Sequence, residues 1–229
     1  MKPSFQNFIQ VAGVIDQTEA DLLLDLGINY LGFPLRLPVN KEDLSEKEAA
    51  EIIKSLFPPN YGIVISYSST AEEVIELCDK VNSKIIQLHG PIHTDELKKL
   101  KSLRCDISII KSLVIRKDNT EKLTSLLKEL EPFVDAFITD TFDPTTGASG
   151  ATGKTHDWEI SKNFVEISSK QVILAGGLNP TNVYDAIIQV KPAGVDVHTG
   201  VENETGRKDK QLIKHFLSET NRAFKKIEN

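Results

Sequence analysis

The 229 residues are 40% hydrophobic and 26% charged with a formal charge of -6, which excludes a disordered, collagenous or coiled-coil chain and leaves no general basic footprint for nucleic acid or an anionic membrane. The length suits one α/β barrel, since such barrels run as single domains of ~200–250 residues. Cys78 and Cys105 are too few and too far apart for a disulfide framework or a zinc site; no run reaches the ~20 apolar residues of a membrane helix, and the start of the chain has no apolar signal core. The expected setting is a reducing cytoplasm.

Short apolar runs alternate with longer segments of helical period, the pattern of consecutive βαβ units. The first strand is predicted at 8–12 (FIQVA) and the first helix at 18–26, where Ala20, Leu23 and Leu24 share a stripe and Gly27 supplies the stop. A second strand at 30–33 (YLGF) leads to a second helix opened by Ser45, with Glu48 three residues on as a capping box. After a strand at 61–66 (YGIVIS), the third helix carries Val74, Leu77, Cys78 and Val81 at helical spacing, which makes Cys78 a small core residue rather than a nucleophile. Further strands are predicted at 84–88, 106–113, 134–140 and 171–175. The seventh helix opens at Asn179-Pro180, the last strand is 194–197 (GVDV) and the last helix covers 209–224.

Eight strands in 229 residues leave about 29 residues per βα unit, enough for a right-handed crossover each time. The predicted fold is therefore a (β/α)8 TIM barrel, with residues 1–229 as one domain. A doubly wound sheet would usually carry a Gly-rich fingerprint after its first strand, where VAGVID has a single glycine.

In such barrels catalytic side chains stand at the C-terminal strand ends, and phosphate is commonly held after strands seven and eight. Gly176-Gly177 and Thr199-Gly200 occupy those two places; either they bring backbone N–H groups close to an anion, or they only make tight turns. Asp140 shares a face with Ala136 and Ile138 at the end of strand six, the position of a general acid or base, unless it is a cap or ion-pair partner. Lys111 is placed to pair with Asp140 or to act as a Schiff-base amine, and His89 to orient a substrate oxygen or bond the backbone. Arg36 offers a planar fork for a substrate carboxylate, or faces solvent. The long Gly/Ser/Thr loop at 143–156 is expected to be functional. Within it Gly150 to Thr155 resembles a nucleotide phosphate loop, but Ala148 stands where that pattern needs glycine, which argues against an NTPase.

Leu31-Gly-Phe33, Gln87-Leu-His-Gly90, Ile109-Ile-Lys111, Thr139-Asp-Thr141, GKTHDW at 153–158, LAGGLNPTNV at 174–183 and GVDVHTGVE at 194–202 occur in order along nearly the whole chain. Together they make it resemble the phosphoribosylanthranilate isomerase family of tryptophan biosynthesis. The resemblance implies a (β/α)8 barrel without cofactor or metal, whose partner is a small phosphorylated sugar and which turns an aminoaldose into an aminoketose by an Amadori rearrangement. It also implies that Asp140 matches the general acid that protonates the ribose ring oxygen.

Three departures accompany the match. The family opens with Lys-Ile-Cys-Gly, whose cysteine takes the proton from sugar C2; here the stretch is Gln10-Val-Ala12-Gly13. The family has an arginine shortly before the second helix, recognising the anthranilate carboxylate, where this chain has Lys41-Glu42, and Arg36 would have to substitute from another angle. The family has serine where this chain has His198. Two functions follow: an isomerase using Asp140 with Asp16 or His89 as replacement base, or a barrel that binds a phosphosugar without turnover. A Schiff-base aldolase through Lys111 is a third, weaker reading.

Overall fold

The computed structural model describes residues 3–38, 44–141 and 155–228. Eight parallel strands, β1 (Phe8–Ala12), β2 (Tyr30–Pro34), β3 (Tyr61–Ser66), β4 (Ile85–Leu88), β5 (Ser108–Ile115), β6 (Ala136–Thr141), β7 (Gln171–Leu174) and β8 (Gly194–Val197), close into a barrel in chain order. The closing pair β1·β8 is in the register Gln10↔Asp196 and Val11↔Val197. Helices α1 (Gln17–Asp25), α2 (Glu46–Ser55), α3 (Ala71–Val81), α4 (Thr94–Leu103), α5 (Thr120–Leu130), α6 (Trp158–Ile167), α7 (Val183–Val190) and α8 (Lys210–Glu228) follow the strands one by one. This is the predicted (β/α)8 fold. No helix among the described residues is long and apolar enough to cross a membrane.

Strand alternation divides the core into two layers. Phe8, Ile63, Ile85, Ile110, Ala136, Ile138 and Ile173 point inward and pack the lower part of the barrel. Val11, Leu31, Phe33, Val64, Ile86, Ile109, Leu113, Phe137, Val172 and Val195 point outward and meet the helices. Burial of this kind stabilises by roughly 25 cal/mol per Å² of apolar surface, and both layers require every strand to hold its register.

The local signals behave as their chemistry dictates. Ser45 Oγ accepts the N–H of Glu48 at 3.3 Å while Glu48 Oε2 accepts the N–H of Ser45 at 2.8 Å, so α2 starts in a full capping box. Cys78 is buried in the helix-facing layer, and burial pushes its thiol up to about 12, far from a nucleophile at neutral pH. Several boundaries shift from expectation, two of them with a visible cause. β5 begins two residues late because Ile107 closes a turn onto the carbonyl of Arg104, whose side chain holds Asp106. α7 begins at Val183 rather than at Pro180, because Asn179 Oδ1 accepts the N–H of Thr181 and the chain makes a side-chain-closed turn first.

Candidate active site

The interior face changes character toward the C-terminal ends of the strands, where apolar side chains give way to Gln10, Gln87, Ser112, Asp140 and Asp196, all buried. A hydrogen-bonded belt crosses the barrel: Gln10 Nε2 donates to Gln87 Oε1 at 3.0 Å, Gln87 Nε2 donates to Ser112 Oγ at 3.5 Å, and Ser112 Oγ lies 3.1 Å from His89 Nδ1. His89 Nδ1 is 4.0 Å from Asp140 Oδ2, and the His89 ring rests 5.1 Å from that of Tyr67. Asp140 Oδ1 accepts the N–H of Thr141 at 2.7 Å, which fixes its rotamer.

Burial pushes the Asp140 carboxyl up to about 7, against the smaller pull of the Thr141 N–H. Asp196 is driven the same way, to about 8, by burial first and then by the negative charge of Asp140. Its Oδ1 has no hydrogen-bond partner among the described residues. Two carboxyls buried in one interior cannot both ionise cheaply, so at least one stays protonated at neutral pH. A carboxyl raised above its unfolded pKa contributes stability below that unfolded value, and the contribution is lost as pH rises through the folded value. Asp196→Asn is therefore expected to raise Tm over the parent at pH 9 and to gain little at pH 5; equal Tm differences at both pH values in thermal melts would refute the buried titration.

The loops after β7 and β8 interlock beside this belt. Gly176 and Gly177 have φ of 94° and 66°, left-handed values that favour glycine. A Cβ on Gly176 would lie 2.2 Å from Thr141 Oγ1, and one on Gly200 would lie 1.9 Å from the Leu178 carbonyl oxygen. Thr199–Val201 form a single 3-10 turn. The carbonyl of Gly177 is held by Asn182 Nδ2 at 3.0 Å, while the amides of Gly176 and Gly177 donate to no acceptor among the described residues.

Three sequence candidates do not join this constellation. Asp16 caps α1, accepting the Glu19 N–H at 2.9 Å, and its other oxygen accepts from Arg207 at 2.6 Å. Burial alone would raise its pKa, but Arg207 and the backbone N–H groups outweigh it and hold the carboxyl below the usual range, and with both oxygens already engaged Asp16 is not available to substrate. Asp16→Ala is expected to cost ~0.5–2 kcal/mol, the loss of a cap, and to leave turnover unchanged; a fall in kcat without a fall in Tm would return Asp16 to the chemistry. Arg36 is turned into the helical layer, with Nε 2.7 Å from Glu46 and Nη2 2.6 Å from Glu76, tying α2 to α3. Those carboxylates raise its pKa further and occupy the fork expected for substrate. Lys111 points outward between Ile109 and Leu113, on the opposite face of the sheet from Asp140, and donates to the carbonyls of Leu88 at 3.0 Å and Ser112 at 2.8 Å. Burial draws its amine down to about 7, yet neither the Asp140 pair nor a Schiff base in the mouth is within its geometry. Lys41-Glu42 and residues 142–154, including Gly150 and Lys154, lie outside the described residues. His156, at the end of that loop, bridges Thr141 Oγ1 at 2.9 Å and Ser161 Oγ at 2.6 Å.

A family model described as N-(5'-phosphoribosyl)anthranilate (PRA) isomerase matches residues 10–219. The chain belongs to the PRA isomerase family. Among its relatives, N-(5'-phosphoribosyl)anthranilate isomerase 2 of Methanosarcina mazei is 32% identical over 222 residues, spanning 96% of this chain and 97% of the relative. The solved phosphoribosyl anthranilate isomerase of Thermococcus kodakaraensis superposes with a TM-score of 0.76 at 28% identity, over 93% of this chain and 98% of that one. That of Thermotoga maritima gives 0.78 at 27%, with the same coverage. Within a PRA isomerase barrel the interior polar belt was the least visible part in sequence. Gln10, Gln87 and Asp196 are each flanked by apolar residues and Ser112 by Lys111 and Leu113, and only period-2 alternation against Phe8, Ile85, Ile110 and Gly194 reveals them as inward-facing.

Proposed function

We propose that this chain is an aldose-ketose isomerase acting on phosphoribosylanthranilate, with Asp140 as the general acid. The observation that carries the reading is the buried Asp140 carboxyl at the C-terminal end of β6, raised to about 7 and so populated in its acid form near neutrality. A ring oxygen leaves poorly without a proton, and an acid with pKa near the working pH is the efficient donor. The glycine loops after β7 and β8 supply the phosphate subsite through Gly176, Gly177, Thr199 and Gly200, and His89 lines the sugar side next to Asp140. A solved PRA isomerase that holds reduced 1-(o-carboxyphenylamino)-1-deoxyribulose 5-phosphate, 25% identical with a TM-score of 0.76, supports a phosphorylated sugar as the ligand here.

Turnover is favoured over mere phosphosugar binding by the cost of the interior: two buried carboxyls, with Asp196 Oδ1 lacking a hydrogen-bond partner among the described residues, are destabilising, and a barrel that only bound a phosphosugar would have no need of them. The reaction needs neither cofactor nor metal, and we place it in the cytoplasm, which suits the unpaired Cys78 and Cys105 thiols. Complementation of a tryptophan auxotroph lacking this isomerase tests the reading: growth supports it, and failure to grow despite folded, expressed protein contradicts it.

A further inference from the structure

Opening the ring is half of the rearrangement; the C2 proton must also be taken, and Ala12 at the end of β1 carries only a methyl group. Of the titratable side chains near the mouth, Asp16 is committed to α1 and Arg207, His89 is engaged through Nδ1 beside the acid itself, and burial keeps Asp196 protonated. His198 stands differently. It directly follows β8, whose register Gln10↔Asp196, Val11↔Val197 sets that strand end beside the end of β1. Its ring lies over Gly13: a Cβ on that glycine would fall 2.0 Å from Nε2 and 2.6 Å from both Cδ2 and Cε1. The imidazole thus fills space at the end of β1 that is open only because residue 13 has no side chain.

The ring also has a carboxylate beside it. Nε2 is 3.4 Å from Glu202 Oε1, and that oxygen is held by Lys208 Nζ at 2.5 Å. A proton on Nε2 facing Glu202 leaves the lone pair on Nδ1. The side chain keeps 26% of its surface open. Burial and the charge of Lys208 hold it neutral, down to about 3; a bound phosphate dianion and carboxylate would raise its basicity when substrate is present.

We propose that His198 is the general base of this enzyme, acting from β8 at the place where residue 12 of β1 has no proton acceptor. The proposal rests on the isomerase reading above. Asp140 gives its proton to the ring oxygen as the C1–O bond breaks, which leaves an iminium between C1 and the aryl nitrogen. His198 Nδ1 takes the C2 proton; the C2–H pair becomes the C1=C2 bond and the C=N pair returns to nitrogen. The enolamine then loses its C2 hydroxyl proton to the Asp140 carboxylate and receives the His198 proton at C1, so both groups are restored and the product is an isomer. Two strand spacings, roughly 10 Å round the wall, separate β6 from β8 and leave room for a sugar between acid and base.

The test compares the parent, His198→Gln, Ala12→Cys and the double variant Ala12→Cys/His198→Gln for kcat with phosphoribosylanthranilate, for affinity toward inorganic phosphate and for Tm. His198→Gln is expected to lose ~10²–10⁴ in kcat at unchanged phosphate affinity, and the double variant to recover at least about tenfold over His198→Gln, because a thiol at position 12 takes over the proton. His198→Ser, which leaves the face of Gly13 clear, replaces His198→Gln if the amide lowers Tm. An active parent with an equally active His198 variant would overturn the proposal alone, as would a loss of kcat that tracks a loss of phosphate affinity or no recovery in the double variant. A parent without turnover would instead overturn the isomerase reading, and this base with it.

Discussion

Asp140→Asn is expected to lower kcat by ~10²–10⁴-fold, the contribution of a positioned acid, while affinity for inorganic phosphate stays at the parent value. Asparagine keeps the shape and can still accept the Thr141 N–H, the bond that orients the side chain at 2.7 Å, but it has no acidic proton to give. The pH dependence carries the sign of the role. Burial places the carboxyl at about 7, and the acid form exists below that value, so parent turnover should fall as pH rises through about 7. The residual activity of Asp140→Asn should lack that limb. Stability supplies a control: the variant removes a buried ionisation and should melt no lower than the parent at pH 9. Full activity in the variant, or an unchanged alkaline limb, would remove Asp140 from proton transfer.

Gly200→Ala is expected to be the most damaging single methyl group. The added Cβ would lie 1.9 Å from the Leu178 carbonyl oxygen and 3.0 Å from Asn179 Cβ; the nearer neighbour is backbone, so one of the two loops must move. If those loops form the phosphate subsite, losing even one backbone N–H contact to the phosphate costs ~1.5–3 kcal/mol, the range for a hydrogen bond to a charged group, or roughly 10–150-fold in KM. The kcat should fall less, because Asp140 stands on β6 and does not depend on the loop after β8. A variant with parent-like KM and Tm would show that the two loops do not jointly hold the anion.

Strands and their order were legible because they depend on short-range pattern. FIQVA, YGIVIS and GVDV are apolar runs between turn signals, and β1, β3 and β8 coincide with them. Asp140 was legible for the same reason, since alternation against Ala136 and Ile138 places it inward. Applied to β5, that alternation also sets Lys111 outward with Ile109 and Leu113, so the face of the strand outweighs the chemistry of the amine. Asp16 has Glu19 three residues on, the same spacing that marks Ser45 as a cap, so its capping role was visible locally. Arg36 is different in kind. Its partner Glu76 lies forty positions away on another helix, and no local pattern encodes which carboxylate a flexible guanidinium meets. The contact of His198 with Gly13 spans almost the whole chain and exists only because β8 closes on β1. Sequence marks His198 as a departure; closure of the barrel sets it against Gly13.

The most direct measurement uses the purified chain with phosphoribosylanthranilate labelled with ¹³C at sugar C2. Catalysis converts that carbon from an alcohol into a ketone, a change of chemical class that neither binding nor hydrolysis of the aglycone produces. The expected result is stoichiometric transfer of the label into a ketone signal at a rate proportional to enzyme, slowed ~10²–10⁴-fold by Asp140→Asn. Persistence of the alcohol signal in the presence of folded protein that still binds phosphate would contradict the isomerase account.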